Sequence, residues 1–146
     1  MTVPNVSTND PATSDWANAV ADAVNFLTPT DISSGLTFTA ATDWDTATIE
    51  YARRVGPFLV LRVSARRTGS ALGPGDFGNT QMGTLSGAGS TGDGPTRQPM
   101  NSAVSNAAAG YFNASNGQIA VTWSAAEIST SGTVDLSGIV LVDPSS

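Results

Sequence analysis

The chain has 146 residues and contains no histidine, no cysteine and no lysine. Each absence removes a class of chemistry. Without cysteine there is no disulfide and no thiolate zinc site, and the redox compartment cannot be read from the sequence. Without histidine the commonest general base and transition-metal ligand is missing. Without lysine there is neither a Schiff-base amine nor a P-loop lysine. Any catalysis would run on carboxylates, hydroxyls, tyrosine and arginine, as glycosidases do. No apolar run reaches transmembrane length, and the opening MTVPNVSTNDPATSD lacks the basic and apolar regions of a secretory signal. The expectation is a soluble, non-enzymatic chain with no cofactor, no membrane insertion and no encoded export route.

What remains is dominated by Ala, Gly, Ser and Thr, with 40% apolar residues. That composition suits an all-β protein of short strands and frequent turns, and the length is enough for one core. The net charge of −6 argues against a nucleic-acid or anionic-membrane partner. The charge is unevenly spread. Residues 1–52 hold seven acids and no base, whereas five of the six arginines (Arg53, Arg54, Arg62, Arg66 and Arg67) follow within fifteen positions. Such a patch can touch phosphate, but ion pairing within a sheet or with a neighbouring subunit is the favoured reading.

Residues 1–12 are polar and proline-containing, an extended arm without periodicity. In residues 13–28 the pattern becomes helical. Trp16, Val20, Ala23 and Leu27 are spaced four, three and four, a heptad-like stripe on one face. Thr13 or Ser14 can cap the start, Asp15 sits where the helix dipole favours an anion, and Pro29 ends the run. A helix of about 14 residues is marginal alone in water, so the stripe needs a partner. That partner is either the chain's own β-domain or copies of the same helix, and two heptads leave both open.

Residues 29–146 read as strands. Leu36, Phe38 and Ala40 alternate with threonines. Ile49, Tyr51, Arg53 and Val55 alternate before Gly56-Pro57-Phe58, and Leu59, Leu61, Val63 and Ala65 alternate after it. A three-residue loop at 56–58 would pair Val55 with Leu59, Tyr51 with Val63 and Ile49 with Ala65, putting all of them on one face. Glu50, Ala52 and Arg54 would then share the other face with Val60, Arg62, Ser64 and Arg66, placing Glu50 diagonal to Arg62 and Arg66. Arg53 would be a charge on the apolar face, tolerable near the sheet's end or against another subunit.

Residues 68–101 are glycine-rich, with a short strand expected near Thr80–Leu85, and a loop of that length suggests binding or packing on a neighbour. Ala103–Phe112 reads as a small-residue strand. Asn116-Gly117 is a hairpin turn, and Ile119, Val121 and Trp123 alternate after it. Thr133–Val142 closes the chain, with Gly138 marking a bulge or a close approach. About eight strands with regular turns predict a mainly β fold: an antiparallel, jelly-roll-like β-sandwich preceded by a short N-terminal α-helix.

Sites for chemistry are few. Asp43-Trp44-Asp45 is the only close carboxylate pair and lacks the ligand count of a calcium loop, so a turn is favoured. Glu50, Asp76, Asp93, Glu127 and Asp135 fall in no recognisable catalytic setting. The glycine runs are not framed by a strand and a helix, which leaves phosphate cradling unsupported. Trp44 and Tyr111 are candidate stacking platforms for sugar rings, and Trp123 is favoured for the core.

Taken in order, these motifs resemble those of small virion proteins of tailed bacteriophages, in particular minor tail or tail-fibre-type proteins of phages infecting actinobacteria. The segment from Asp15-Trp16-Ala17-Asn18 to Asn25-Phe26-Leu27 is similar to their short W-N-x-x-V-x-D-N-x-x-F-L helix, with Ala17 at the Asn position and Ala23 replacing the second Asn. Tyr51-Ala52-Arg53-Arg54-Val55-Gly56-Pro57-Phe58-Leu59-Val60-Leu61 resembles their Y-x-R-x-V-G-x-x-V-x-L hairpin. Gly78-Asn79-Thr80, Gly83-Thr84-Leu85, Pro99 and Gly117-Gln118-Ile119 follow in the same order.

The resemblance implies a homotrimeric sandwich located in the virion and assembled in the host cytoplasm. It further implies a helix near the threefold axis and an N-terminal arm bound to other phage structural proteins. The expected trimer interface comprises Trp16, Val20, Ala23, Leu27 and Arg53. A capsid decoration protein, also trimeric with an extended arm, is the alternative. A carbohydrate-binding receptor module, contacting a host-surface glycan through Trp44 and Tyr111, is a further one.

Overall fold

The computed structural model describes residues 14–89, 95–102 and 107–142. The expected arm, residues 1–12, lies outside them. Helix α1 (Ser14–Leu27) is followed by β1 (Thr30–Asp31), a 3-10 turn (Ser33–Gly35), β2 (Thr37–Ala40), β3 (Trp44–Val55) and β4 (Phe58–Arg67). Then come β5 (Gly75–Ser86), β6 (Arg97–Asn101), β7 (Ala109–Asn113), β8 (Gln118–Ser124) and β9 (Thr133–Leu141). All pairings are antiparallel, and the spatial order is β1-β3-β4-β9-β6-β7-β8-β5-β2.

The sheet has two halves, β1-β3-β4-β9 and β6-β7-β8-β5-β2, joined where Asn101 pairs with Ser137. It curls so that the inner faces of both halves enclose one core, which gives the β-sandwich-like fold expected from the strand pattern. Leu59, Leu61, Val63 and Ala65 of β4 and Val134, Leu136 and Val140 of β9 share one buried cluster with Met82, Met100, Phe112, Ile119 and Val121 from the other half. Each large side chain removed from water here contributes about 1.5–3 kcal/mol, and the buried Gln98 side chain ties the join by donating to the Leu141 carbonyl at 2.7 Å and accepting from the Leu141 N–H at 2.6 Å.

The β3–β4 register differs from the expected one. Val55 pairs with Phe58, Tyr51 with Arg62 and Ile49 with Val63. The turn is Gly56-Pro57 alone, with Gly56 at φ +57°. A positive φ at the first central residue is what a two-residue hairpin turn favours, and proline fixes the next φ near its preferred value. Phe58, counted as loop in the sequence reading, therefore enters the strand. The slip moves Tyr51, Arg53 and Val55 to the outer face, while Ala52 and Arg54 turn inward opposite Leu61 and Leu59. A register shift between Ile49 and Tyr51 then returns Ile49 to the core side opposite Val63.

A similar device corrects Trp123. Between Ala109↔Trp123 and Gly110↔Val121 the β7–β8 register shifts at Thr122, so Val121 stays buried and Trp123 is turned out, 41% exposed. Strand β5 runs twelve residues, well beyond the short strand expected at 80–85, and occupies much of the supposed long loop. The strand expected over 103–112 begins at Ala109, with residues 103–106 outside the described set. Gly138 is a site of close approach: a Cβ there would lie 2.9 Å from the Pro99 carbonyl oxygen. The β4–β9 register runs through it without a bulge.

Candidate functional site

Of the helix α1 stripe, Leu27 stands open to solvent, and Val24 beside it is open as well. No strand runs along the helix among the described residues; it is fastened at its C-terminal end. The Gly56 N–H donates to the Phe26 carbonyl at 2.8 Å, and the Phe26 ring lies so close to Gly56 that a Cβ there would be 2.9 Å from it. The Thr28 hydroxyl donates to the Val24 carbonyl at 2.7 Å, closing the last turn before Pro29. Val24 and Leu27 remain 58% and 64% exposed, while Val20 and Ala23 are half-buried. The Trp16 side chain lies outside the described residues.

The outer face of β3-β4-β9 follows from the corrected register. Directly opposed residues share a face, which gives the rows Val55–Phe58–Leu141, Arg53–Val60–Ile139 and Tyr51–Arg62–Ser137, then Ser64–Asp135. Tyr51, Phe58 and Ile139 are 43%, 49% and 67% exposed. An open groove of about 530 Å³ runs across these rows between Tyr51, Val60, Arg62 and Ile139. The Arg53 guanidinium stacks over the Tyr51 ring, 5.6 Å from its centroid. Arg53 therefore lies on the solvent face and not among the core residues, because the slipped register put Arg54 on the inner side instead. Arg54 is half-buried and donates from Nη2 to the Ala88 carbonyl at 2.9 Å.

Below the apolar rows lies a charged band. Arg62 Nη2 is 3.0 Å from Asp135 Oδ2, off the line a hydrogen bond needs, so the contact is chiefly Coulombic. The other oxygen of Asp135 accepts from the Ser102 hydroxyl at 2.6 Å, and the carboxylate is nearly fully buried. Arg66 donates twice to Asp45, at 2.8 and 2.6 Å. Those hydrogen bonds hold the Asp45 carboxyl below its ordinary range and raise the Arg66 guanidinium above its own. Glu50 accepts from the Ser64 hydroxyl at 2.7 Å. The expected Glu50 diagonal is thus replaced: Arg62 goes to Asp135 and Arg66 to Asp45. Every carboxylate on this face is engaged by a hydroxyl or a guanidinium.

The two expected sugar platforms are covered. Trp44 is buried with its indole N–H lacking an acceptor among the described residues, and Arg67 lies over its ring at 5.2 Å. Tyr111 is also buried, with Arg97 over its ring at 4.7 Å. Both rings therefore have one face taken by an arginine and little surface left. Burial of Trp44 follows from its place as the first residue of β3, opposite Arg67. Asp43 is a turn residue at φ +68°, and its carbonyl accepts from Thr68 and Gly69. The two carboxylates of Asp43-Trp44-Asp45 diverge to Arg67 and Arg66. Among the described residues no three acidic side chains gather as a metal ion requires, and no helix is long and apolar enough to cross a membrane.

The sequence reading missed Tyr51, Phe58 and Ile139 as surface residues. The available signal was the Gly-Pro pair, which favours a two-residue turn and hence the opposite face for Tyr51. No protein-family model matches the chain, and no curated protein or solved structure is significantly similar to it.

Proposed function

We propose that the chain is an assembly subunit, working as a homotrimer in a tailed-phage particle as a minor tail or tail-tip protein. The observation that carries the assembly role is the open apolar surface at the C-terminal end of helix α1. Among the described residues, Val24 and Leu27 stand open on a helix fastened at its C-terminal end. Leaving such side chains in water forfeits roughly 1.5–3 kcal/mol each, and a helix of this length is marginal without tertiary cover. The engaged carboxylates of the outer face support the same reading, since none is poised in a pair for acid–base work. Trimer stoichiometry and tail location rest on the ordered motif resemblance.

Light scattering of the purified chain at micromolar concentration is expected to give a mass of three chains. Leu27→Asp is expected to return a single-chain mass with an unchanged far-ultraviolet spectrum, because the substitution alters an exposed position. A single-chain mass for the unsubstituted protein overturns the proposal. Antibody labelling of intact particles places the subunit: label on heads instead of tails replaces the tail reading with the decoration reading.

A further inference from the structure

We infer that Asn116 is a deamidation site which the folded β7–β8 turn keeps closed, so that it reacts only when the turn opens. Asn116-Gly117 is the one Asn-Gly pair in the sequence. A glycine after asparagine leaves the following backbone nitrogen unhindered, because no Cβ stands beside it. The Gly117 nitrogen can then attack Cγ of Asn116. The new nitrogen–carbon bond forms, the Cγ–Nδ2 bond breaks, and ammonia leaves with the proton that the Gly117 nitrogen gives up. Water opens the resulting cyclic imide at either of its carbonyls, leaving aspartate or isoaspartate at position 116.

Asn116 is exposed, so water and hydroxide reach it. The turn itself opposes the attack. The Gly117 N–H donates to the Asn113 carbonyl at 2.8 Å, so the proton that ring closure must remove is held in place. The Asn116 Oδ1 accepts from the Gln118 N–H at 3.0 Å, which fixes the rotation of the side-chain amide. The backbone has no slack either. Gly117 lies at φ +74°, its carbonyl accepts from the Leu85 N–H at 2.8 Å, and a Cβ on it would collide with the Leu85 carbonyl oxygen. Ring closure takes the donor away from the Asn113 carbonyl, and isoaspartate lengthens the backbone by one carbon; neither fits the closed turn. On its other side the turn is pinned by Asn113 Oδ1, which accepts from the Ser115 N–H at 3.0 Å and from the Ser115 hydroxyl at 2.7 Å. Reaction therefore waits on local opening.

Peptide mapping tests this. The full chain is held at mildly alkaline pH, folded or in denaturing urea, and then cut by chymotrypsin after Phe112 and Trp123. Mass spectrometry follows the change from amide to acid at Asn116. The expected result is conversion in urea and a conversion at least roughly tenfold slower in the folded chain. Protection of the Gly117 amide against hydrogen exchange is expected to match that slowing. Asn113→Ala removes both side-chain bonds to Ser115 but keeps the carbonyl that holds Gly117. It is expected to speed the folded reaction severalfold and leave the rate in urea unchanged, with its far-ultraviolet spectrum showing that it has folded. Equal rates in the folded and urea-treated chains, or no conversion in urea, overturn the inference. So does an Asn113→Ala chain that folds and reacts no faster, or a Gly117 amide that exchanges freely while Asn116 stays intact.

Discussion

The two halves of the curled sheet solve the same packing problem with different materials. The strands of β1-β3-β4-β9 carry five arginines, four acids and one glycine; those of β6-β7-β8-β5-β2 carry one arginine, one acid and four glycines. In the first half the inner face is mainly aliphatic, with Arg54 and Arg67 turned to that side, and the outer face is large and charged, knit by Arg62–Asp135 and Arg66–Asp45. In the second half side-chain bulk is given up so that backbones can approach. A Cβ on Gly83 would meet the Phe38 ring, one on Gly110 the Ala120 carbonyl, and one on Gly117 the Leu85 carbonyl. The difference teaches that one curled sheet can be secured in two ways: the glycine-rich half by close backbone approach, and the arginine-rich half by aliphatic burial with ion pairs on its outer face.

Substitutions in each half can break or sharpen that contrast. The largest effect is expected at Gly117, which sits at φ +74° and whose carbonyl accepts from Leu85 N–H at 2.8 Å. Gly117→Ala adds both a left-handed strain and a clash with the Leu85 carbonyl, costing about 2–4 kcal/mol. Urea unfolding followed by tryptophan fluorescence measures it, and a change under about 0.5 kcal/mol would deny that this half depends on close backbone approach.

A smaller loss is expected in the charged half. Asp135→Ala removes one hydrogen bond of the Ser102 hydroxyl and the counter-charge of Arg62. Because the Arg62 side chain is 46% exposed and can turn to water, the cost is about 1–2 kcal/mol and not that of a fully buried pair. The same denaturation curve reads it. A loss as large as at Gly117 would mean that the ion pair, and not the aliphatic inner face, secures this half.

The smallest effect belongs to Asp45, exposed and bonded to Arg66. Its folded carboxyl titrates below the ordinary value of 3.8, so its contribution is fully present above that range and fades as pH falls through the lowered folded value. Asp45→Asn is expected to lower stability slightly at neutral pH and to leave the acid end unchanged, which flattens that part of the stability-against-pH curve. Thermal melts between about pH 2 and 7 check the sign. A steeper acid loss in the variant would contradict it.

Much of the fold was legible in residue order. Period-two alternation marked β4 and its buried Leu59, Leu61, Val63 and Ala65, and Asn116-Gly117 marked the β7–β8 turn. What misled was register. A one-residue difference in turn length exchanged the faces of Tyr51, Arg53 and Val55 with those of Ala52 and Arg54. A single shift at Thr122 sent Trp123 to solvent. Local sequence constrains alternation strongly but phase weakly, because phase depends on turn geometry and on which partner strand lies alongside. The candidate surfaces were therefore half visible: the helix stripe stood in the spacing, while the outer face of β3-β4-β9 needed the register.

By itself the sequence determined the chemistry that is absent, the β character of residues 29–146 and the amphipathic helix ahead of them. These follow from residue type and period, which act within a few positions. Only the tertiary structure decided that Trp44 and Tyr111 are closed over by arginines, and that Tyr51, Phe58 and Ile139 share an open face. It also decided that Arg62 meets Asp135 across strands distant in sequence. Those outcomes depend on long-range pairing, where the gain from burying both inner faces selects one register and the outer face takes whatever that register turns outward.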